Sequence, residues 1–170
     1  MDHSAADRIR TQYQRFPYPS SPEAGNTYSE LANLMTLFEL DCGYDFVNKR
    51  VLDVGTGTGM RLLQLAKIFD HNEYLGLDYS QSSIDYAIGA RGAIGATVDF
   101  RQLDIHSATE SSLGRFDLIF CMGVLHHMED PASVVRRFGS LLKPDGVVFL
   151  YLYGEHGSAE RMRRKRVLQH

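Results

Sequence analysis

The sequence predicts an α/β fold, in which about five parallel strands form a sheet with helices on both faces, preceded by N-terminal helices. Short apolar runs, typical of strands buried on both faces, alternate with helical segments along the chain. The first run, Val51–Val54, is followed at once by a turn containing Gly55, Gly57 and Gly59, and then by a helical segment. This order predicts a ligand site, because glycine lets a ligand approach the backbone closely.

The segment before the sheet is predicted to be helical. Residues 5–15 form the first predicted helix, and the proline-rich stretch 16–22 ends it, because proline disfavours helix at the preceding residue. A second helix is predicted from about residue 28 to about residue 41. We therefore divide the chain into an N-terminal helical cap, residues 1–48, and a core, residues 49–170.

The elements of the core follow from apolar runs and helix caps. Ser80 is a good N-cap residue, and Asp130 followed by Pro131 is typical of a helix start. Lys143–Gly146 predicts a turn. The predicted strands are 50–54, 74–78, about 97–103, 116–121 and 147–153, and the predicted helices between them are 59–69, 80–90 and 130–142.

The composition argues against several classes of protein. A net charge of −3 is not that of a protein that binds nucleic acid by neutralising phosphates. No apolar run is long enough for a membrane span, and the N-terminus lacks a signal-peptide pattern. Cys42 and Cys121 fit neither a disulfide framework nor a metal spacing. We therefore expect a cytoplasmic protein that binds no membrane, no nucleic acid and no metal.

Acidic residues stand where the second and third predicted strands end, at Asp78 and Asp104. The carboxyl ends of parallel strands share one edge of the sheet, where ligands bind. Asp78 is suited to accept hydrogen bonds from both hydroxyls of a ribose; its alternative role, capping the next helix, can be filled by Ser80. A nicotinamide dinucleotide is disfavoured, because Met60 stands where the third glycine of its fingerprint is required.

Three motifs resemble those of one family. The glycine turn after Val-Leu-Asp-Val resembles motif I of the class I S-adenosylmethionine-dependent methyltransferases. Residues 115–131 resemble their fourth-strand segment with its paired histidines, and residues 141–148 are similar to their Leu-Lys-Pro-Gly-Gly turn. The resemblance covers residues 50–153 and implies a Rossmann-like fold, S-adenosylmethionine as cofactor, and methyl transfer to an unidentified small-molecule acceptor.

The resemblance also implies which residues hold the cofactor. Asp78 would bind the ribose, Tyr79 and Ile105 would cover the adenine, and Asp104 would lie near the adenine amino group. Asp53 would either order the glycine turn or meet the cofactor's amino group. The full predicted set is Asp53, Gly55, Thr56, Gly57, Gly59, Asp78, Tyr79, Asp104, Ile105 and Met122.

The paired histidines His126 and His127 are the candidate catalytic residues. Methyl transfer to an oxygen atom usually requires a base, and histidine is suited to that role near neutral pH. Alternatively, the pair stabilises the loop after the fourth strand. Two other functions stay open: a non-catalytic S-adenosylmethionine-binding module or truncated methyltransferase core, and a nucleotide-dependent oxidoreductase. A nucleic-acid methyltransferase is disfavoured, because no Asn/Asp-Pro-Pro-aromatic motif follows this strand.

The two ends of the chain carry further expectations. Residues 12–19 resemble a segment found ahead of some family members, so Tyr13, Phe16 and Tyr18 either line the site or pack the N-terminal helices. The basic tail 154–170 is too short for the two further strands that the family usually has. The fifth strand would then be an exposed edge, explained by an incomplete chain, by a homodimer through this edge, or by a helix covering it.

Overall fold

The computed structural model describes residues 30–152 of the chain. The strands are β1 (Arg50–Val54), β2 (Glu73–Asp78), β3 (Asp99–Gln102), β4 (Phe116–Met122) and β5 (Leu142–Tyr151). The helices are α1 (Glu30–Cys42), α2 (Met60–Ile68), α3 (Gln81–Ile94), α4 (Glu110–Leu113) and α5 (Pro131–Leu141). All neighbouring strands are parallel and form one five-stranded sheet in the order β3-β2-β1-β4-β5. The predicted parallel sheet is therefore confirmed.

Successive residues of β1 enter two different apolar layers, because side chains alternate across a strand. Val51 lies in a buried cluster with residues of α1, α2 and α3. Leu52 lies in a second cluster, with residues of α4 and α5. The helices thus cover both faces of the sheet, as the apolar character of the strands predicts.

The strand order reverses beside β1. The chain runs from β1 through β2 to β3 at one edge of the sheet and then returns to the other side of β1 to form β4 and β5. Leu52 pairs in register with Leu75 of β2 and with Ile119 of β4, so the three strands end together. In open α/β sheets the ligand crevice lies at such a switch point, beyond the carboxyl ends of the strands.

Local capping interactions explain where two helices begin. The Ser80 hydroxyl accepts a hydrogen bond from the Ser83 N–H, and the Asp130 carboxylate accepts one from the Ser133 N–H. Both caps were predicted and are confirmed. The short helix α4 was not predicted; it is stabilised by a capping box between Thr109 and Ser112.

The predicted turn at residues 143–146 needs correction. These residues belong to β5, which already begins at Leu142. Leu142 pairs with Phe116, but the next pair joins Val147 to Leu118, so the register shifts at this point. The proline and glycine therefore produce an irregularity within the strand, because pairing with β4 extends to both sides of them.

Some expectations concern parts of the chain outside residues 30–152. The predicted helix 5–15, the aromatic residues of segment 12–19 and the basic tail 154–170 lie outside the described residues. Within residues 30–152 no helix is long and apolar enough to cross a membrane. The same part of the chain contains no cluster of three or more metal-ligating histidine, cysteine or acidic side chains.

Asp117 joins three strands at the amino end of the sheet. Its Oδ2 accepts hydrogen bonds from the Arg50 N–H of β1 and from the Lys143 Nζ of β5, each at 2.7 Å. Partial burial raises the pKa of Asp117, but these two donors more than offset it, so the pKa lies below the usual range. The ionised carboxylate therefore stabilises the fold.

We expect Asp117→Asn to lower the free energy of unfolding by about 1–2 kcal/mol at neutral pH, since it weakens hydrogen bonds to a charged group. Because the folded-state pKa is depressed, this stabilisation is present above the ordinary aspartate pKa and is lost as the pH falls through the folded-state value. Urea unfolding of both proteins at several pH values should show a difference that shrinks in acid. The exposed Asp99→Asn is the control; a pH-independent difference would contradict the prediction.

Candidate functional site

The glycine turn follows β1 at the carboxyl end of the sheet. Gly55, Gly57 and Gly59 all have positive φ, at 73°, 57° and 72°. The N–H groups of Gly55 and Thr56 both donate to the Leu77 carbonyl oxygen of β2, at 2.8 and 2.9 Å. The turn therefore lies against the end of β2, in a backbone conformation that favours glycine.

The Asp78 carboxylate holds the turn in place. Its Oδ2 accepts a hydrogen bond from the Gly57 N–H, and its Oδ1 accepts one from the Ser80 N–H, both at 2.9 Å. Burial raises the pKa of Asp78, while hydrogen bonds from the Ser80, Gly57 and Tyr79 N–H groups act in the opposite direction. A carboxylate has about four lone-pair sites, and the three backbone donors use three of them, so Asp78 can organise the turn and still accept a hydrogen bond from a ligand.

Asp53 lies on β1 beneath the turn and is only 2% exposed. Among the described residues, neither its Oδ2 atom nor the buried Thr56 Oγ1 atom has a hydrogen-bond partner. Burial raises the pKa of Asp53, and the nearby charge of Arg61 opposes this effect. The Thr56 hydroxyl lies near Asp53 and also acts to lower its pKa. A buried polar atom without a partner is costly, so the Asp53 Oδ2 atom indicates a place where a ligand supplies a donor.

The sequence did not single out Arg61, the second residue of α2. Its Nη2 lies 3.5 Å from the carbonyl oxygen of Met122, at the end of β4. The guanidinium thus reaches from the glycine turn to the neighbouring strand. A cation in the first turn of a helix is disfavoured by the helix dipole, and this is the feature of the sequence that would have drawn attention to it.

The predicted adenine-binding residues lie beyond β2 and β3. The Leu103 N–H donates to the Asp78 carbonyl oxygen at 2.9 Å, which brings the ends of the two strands together. The Asp104 carboxylate accepts a hydrogen bond from the His106 N–H and caps a 3₁₀ turn. Tyr79 is half-buried, whereas Ile105 is buried in the layer formed with α4 and α5.

The loop after β4 closes over the glycine turn. A Cβ atom on Gly55 would lie 2.3 Å from Val124 Cγ2. His126 and His127 follow in a 3₁₀ turn, with ring centroids 4.1 Å apart. His126 is exposed and His127 is half-buried, so both histidines stand next to the loop that contacts the turn.

His126 also lines an apolar groove of about 400 Å³, which we call the edge groove. The edge groove lies between the start of α5 and the end of β5, and its lining residues are Leu125, His126, Pro131, Ala132, Val135, Leu150 and Leu152. The structure thus brings Asp53, Asp78 and the glycine turn together at the carboxyl end of the sheet. His126 lies at the same end, towards β5.

The hydrogen-bond acceptors and the glycine turn of this site indicate which type of ligand it can bind. It combines a buried unpartnered carboxylate oxygen, a buried carboxylate with a spare lone pair, and a turn in which three of five residues are glycine. S-adenosylmethionine carries an α-ammonium and two ribose hydroxyls, which are donors of the kind that these acceptors need. The residues present therefore fit this cofactor.

The family of the chain follows from comparison with known proteins. Residues 45–164 match the family described as "Methyltransferase domain". This match covers more than half of the chain, and the chain belongs to this family. The predicted class, a class I S-adenosylmethionine-dependent methyltransferase, is confirmed.

Two relatives show how far the similarity extends. A ubiquinone biosynthesis O-methyltransferase of Actinobacillus pleuropneumoniae is 36% identical over 105 residues, which are 59% of this chain and 44% of that protein. An uncharacterised protein of a Synechococcus species is 28% identical over 167 residues, which are 94% of this chain and 40% of that protein. The chain therefore spans less than half the length of these relatives.

A solved structure shows the same fold with a product of the cofactor bound. The S-adenosylmethionine-dependent methyltransferase of Thiobacillus denitrificans, in complex with S-adenosylhomocysteine, superimposes with a TM-score of 0.59. The two proteins are 25% identical, and the match covers 88% of this chain and 56% of that one. The Rossmann-like fold and S-adenosylmethionine as the cofactor of this class are thereby confirmed.

Proposed function

We propose that this chain binds S-adenosylmethionine and transfers its methyl group to a small-molecule acceptor. The observation that carries the proposal is the buried Asp53 Oδ2, which has no partner among the described residues and lies beside a turn held by Asp78. When bound, S-adenosylmethionine supplies a methyl group on a sulfonium. The chain's own task is to orient the reactants and exclude water.

The predicted residues take the following roles in this proposal. Asp78 binds the ribose hydroxyls while it anchors Gly57, and the glycine turn lets the ligand approach the backbone. Tyr79 and Asp104 contact the adenine from the ends of β2 and β3. The remaining predicted positions complete the proposed contact surface: Gly55, Thr56 and Gly59 lie in the turn, Met122 ends β4, and Ile105 follows β3.

The acceptor is proposed to be methylated on oxygen, with His126 or His127 as general base. The relative named as an O-methyltransferase supports an oxygen acceptor. The exposure of His126 beside the apolar edge groove supports an acceptor with an apolar part. The predicted helical cap, residues 1–48, would exclude water from this acceptor.

Calorimetric titration of the whole chain with S-adenosylmethionine, S-adenosylhomocysteine and NAD tests the proposal. We expect both adenosyl ligands to bind with a Kd in the micromolar range, and NAD to show no binding at the same concentrations. NAD binding would revive the oxidoreductase alternative. A folded chain that binds no adenosyl ligand would contradict the proposed function.

Turnover separates an enzyme from a binding module. Release of S-adenosylhomocysteine in the presence of catechol, a simple phenolic acceptor, would show an active oxygen methyltransferase. Its loss in His126→Asn or His127→Asn, with cofactor affinity unchanged, would identify the base. Cofactor binding without turnover for any acceptor class would favour the non-catalytic module.

Two further proposals concern assembly and location. Leu150, Tyr151 and Leu152 are exposed at the end of β5, which supports the predicted homodimer through this edge; sedimentation equilibrium of the whole chain would test it. Cys42 and Cys121 are both free thiols, which supports the predicted cytoplasmic location. Fractionation of cells that produce the protein would test the location.

A further inference from the structure

The loop after β3, residues 103–109, is attached to α5, a helix that follows much later in the chain. Ile105, which begins the 3₁₀ turn of this loop, is buried in the same apolar cluster as Val134 and Phe138 of α5. The Arg137 Nη2 atom, on the same helix, donates a hydrogen bond to the His106 carbonyl oxygen at 3.2 Å. Both an apolar and a polar contact therefore connect the loop to α5.

Two adjacent arginines of α5 have different partners. Arg137 is half-buried and reaches the loop after β3, whereas Arg136 is exposed. The Arg136 Nη2 atom lies 3.7 Å from the Asp130 Oδ2 atom, at the start of the helix. An exposed ion pair of this kind contributes little to stability. The chain thus offers one arginine that contacts the loop and, beside it, one that does not.

Arg137 acts on the segment that carries Asp104, the residue that we propose for the adenine amino group. The Asp104 Oδ1 atom accepts a hydrogen bond from the His106 N–H at 2.9 Å. His106 is therefore bonded on both sides, through its N–H to Asp104 and through its carbonyl oxygen to Arg137. A carboxylate on a fixed loop binds a donor more tightly, because the loop does not have to be ordered when the ligand arrives.

We propose that Arg137 positions Asp104 for the adenine amino group of S-adenosylmethionine by fixing the loop after β3 to α5. The inference rests on the proposed function and adds to it a positioning residue that acts through Asp104 on selectivity for the base. Adenine carries an amino group, which is a donor, where hypoxanthine carries a carbonyl oxygen, which is an acceptor. A carboxylate held at this place therefore favours adenine over hypoxanthine.

Calorimetric titration of the whole chain with S-adenosylhomocysteine and with S-inosylhomocysteine, whose base is hypoxanthine, tests the inference. We expect the wild type to bind the adenosyl ligand at least about 10-fold more tightly, the effect of one hydrogen bond to a charged acceptor. Arg137→Met should lower the affinity for the adenosyl ligand by about fivefold. The affinity for the inosyl ligand should change by less than about twofold, so the preference for adenine becomes smaller.

The ratio of the two affinities reports on the position of Asp104 and not on stability, because both ligands bind the same folded molecules. Arg137→Lys keeps a charged donor on a long side chain and should restore most of the preference. Arg136→Met is the matched control, because it removes the same charge from the adjacent exposed position. It should leave both affinities unchanged.

Three results would overturn the inference. Equal losses for both ligands in Arg137→Met would show that Arg137 supports the site as a whole, and unchanged affinities would show that it has no role. A wild type that binds the two ligands equally would have no preference for Arg137 to maintain. If the wild-type chain binds neither ligand, the proposed function itself fails.

Discussion

Replacing Asp78 by asparagine should lower the affinity for S-adenosylhomocysteine by about 100-fold, the loss expected when about two charge-assisted hydrogen bonds disappear. The asparagine oxygen can still accept a hydrogen bond from the Ser80 N–H, but its amide nitrogen then faces the Gly57 N–H, which is also a donor. The variant therefore loses the anchor of the glycine turn together with the charged acceptor that we propose for the ribose. Calorimetric titration measures this loss directly.

Asp85→Asn provides the matched control for this experiment. Asp85 lies on α3, directly behind the same strand, and its exposed carboxylate accepts a hydrogen bond from Gln81. The Asp85→Asn variant undergoes the same change of charge, but residue 85 does not contact the glycine turn. Its affinity for S-adenosylhomocysteine should therefore equal that of the wild type. If Asp78→Asn also binds like the wild type, Asp78 neither holds the turn for the ligand nor contacts it.

The pH dependence of binding follows from the burial of Asp78. Burial raises the pKa of this carboxyl despite three backbone donors, so protonation begins at a higher pH than for an exposed aspartate. The ionised form therefore lowers the stability of the folded chain near neutral pH, and this cost disappears as the pH falls towards the raised pKa. Ligand affinity has the opposite dependence: it should decrease on acidification, and less so in Asp78→Asn.

Local sequence patterns were sufficient to predict much of this site. The alternation of apolar runs and helices, together with the glycine spacing, predicted the sheet and the turn after β1. The caps at Ser80 and Asp130 were predictable because an N-cap depends on residues within one helical turn. The position of Asp78 at the end of β2 followed from strand length alone.

Contacts between distant segments were not predictable from these patterns. Arg61 reaches Met122, and Val124 packs on Gly55, only because β4 pairs with β1 in the folded sheet. Strand pairing is not encoded in periodicity, so a local feature such as a cation in the first turn of α2 can draw attention to a residue but does not show which neighbouring strand it reaches. The irregular start of β5 has the same origin, since Leu142 joins the strand through its pairing with Phe116.

Ile105 shows a different limit of prediction. The sequence placed it beside Asp104 at the strand end, and the resemblance implied contact with the adenine. In the fold it begins a 3₁₀ turn, and its side chain is buried with residues of α4 and α5. Adjacent residues in such a turn point in different directions, so the role of Asp104 does not carry over to its neighbour. Contact between Ile105 and the adenine stays a prediction.

The largest expected loss of stability is that of Gly55→Ala. A methyl group at this position would lie 2.3 Å from Val124 Cγ2, and the backbone φ of 73° is unfavourable for any residue with a Cβ atom. The left-handed backbone costs about 1–2 kcal/mol and the overpacking about 1–3 kcal/mol. We expect the free energy of unfolding to fall by about 3–4 kcal/mol, measured by urea unfolding.

Gly123→Ala separates the two contributions. Gly123 has nearly the same backbone conformation, with a φ of 77°, but among residues 30–152 no atom beyond its chain neighbours lies within 4 Å of a Cβ built there. This variant should therefore lose only about 1–2 kcal/mol, the cost of the backbone conformation alone. Equal losses in the two glycine variants would show that the loop after β4 does not close tightly on the turn.

The double variant Gly55→Ala with Val124→Ala tests the contact itself. Removing both Val124 γ-carbons removes the two closest atoms and leaves the Val124 Cβ at 3.3 Å from the new methyl group, while the unfavourable φ is unchanged. Its stability should therefore exceed that of Gly55→Ala, even though Val124→Ala alone removes apolar contacts. A positive coupling of this kind would show that contact with the glycine turn positions the loop after β4. This loop leads into His126 and His127. Any movement of the turn would then displace the candidate catalytic histidines as well.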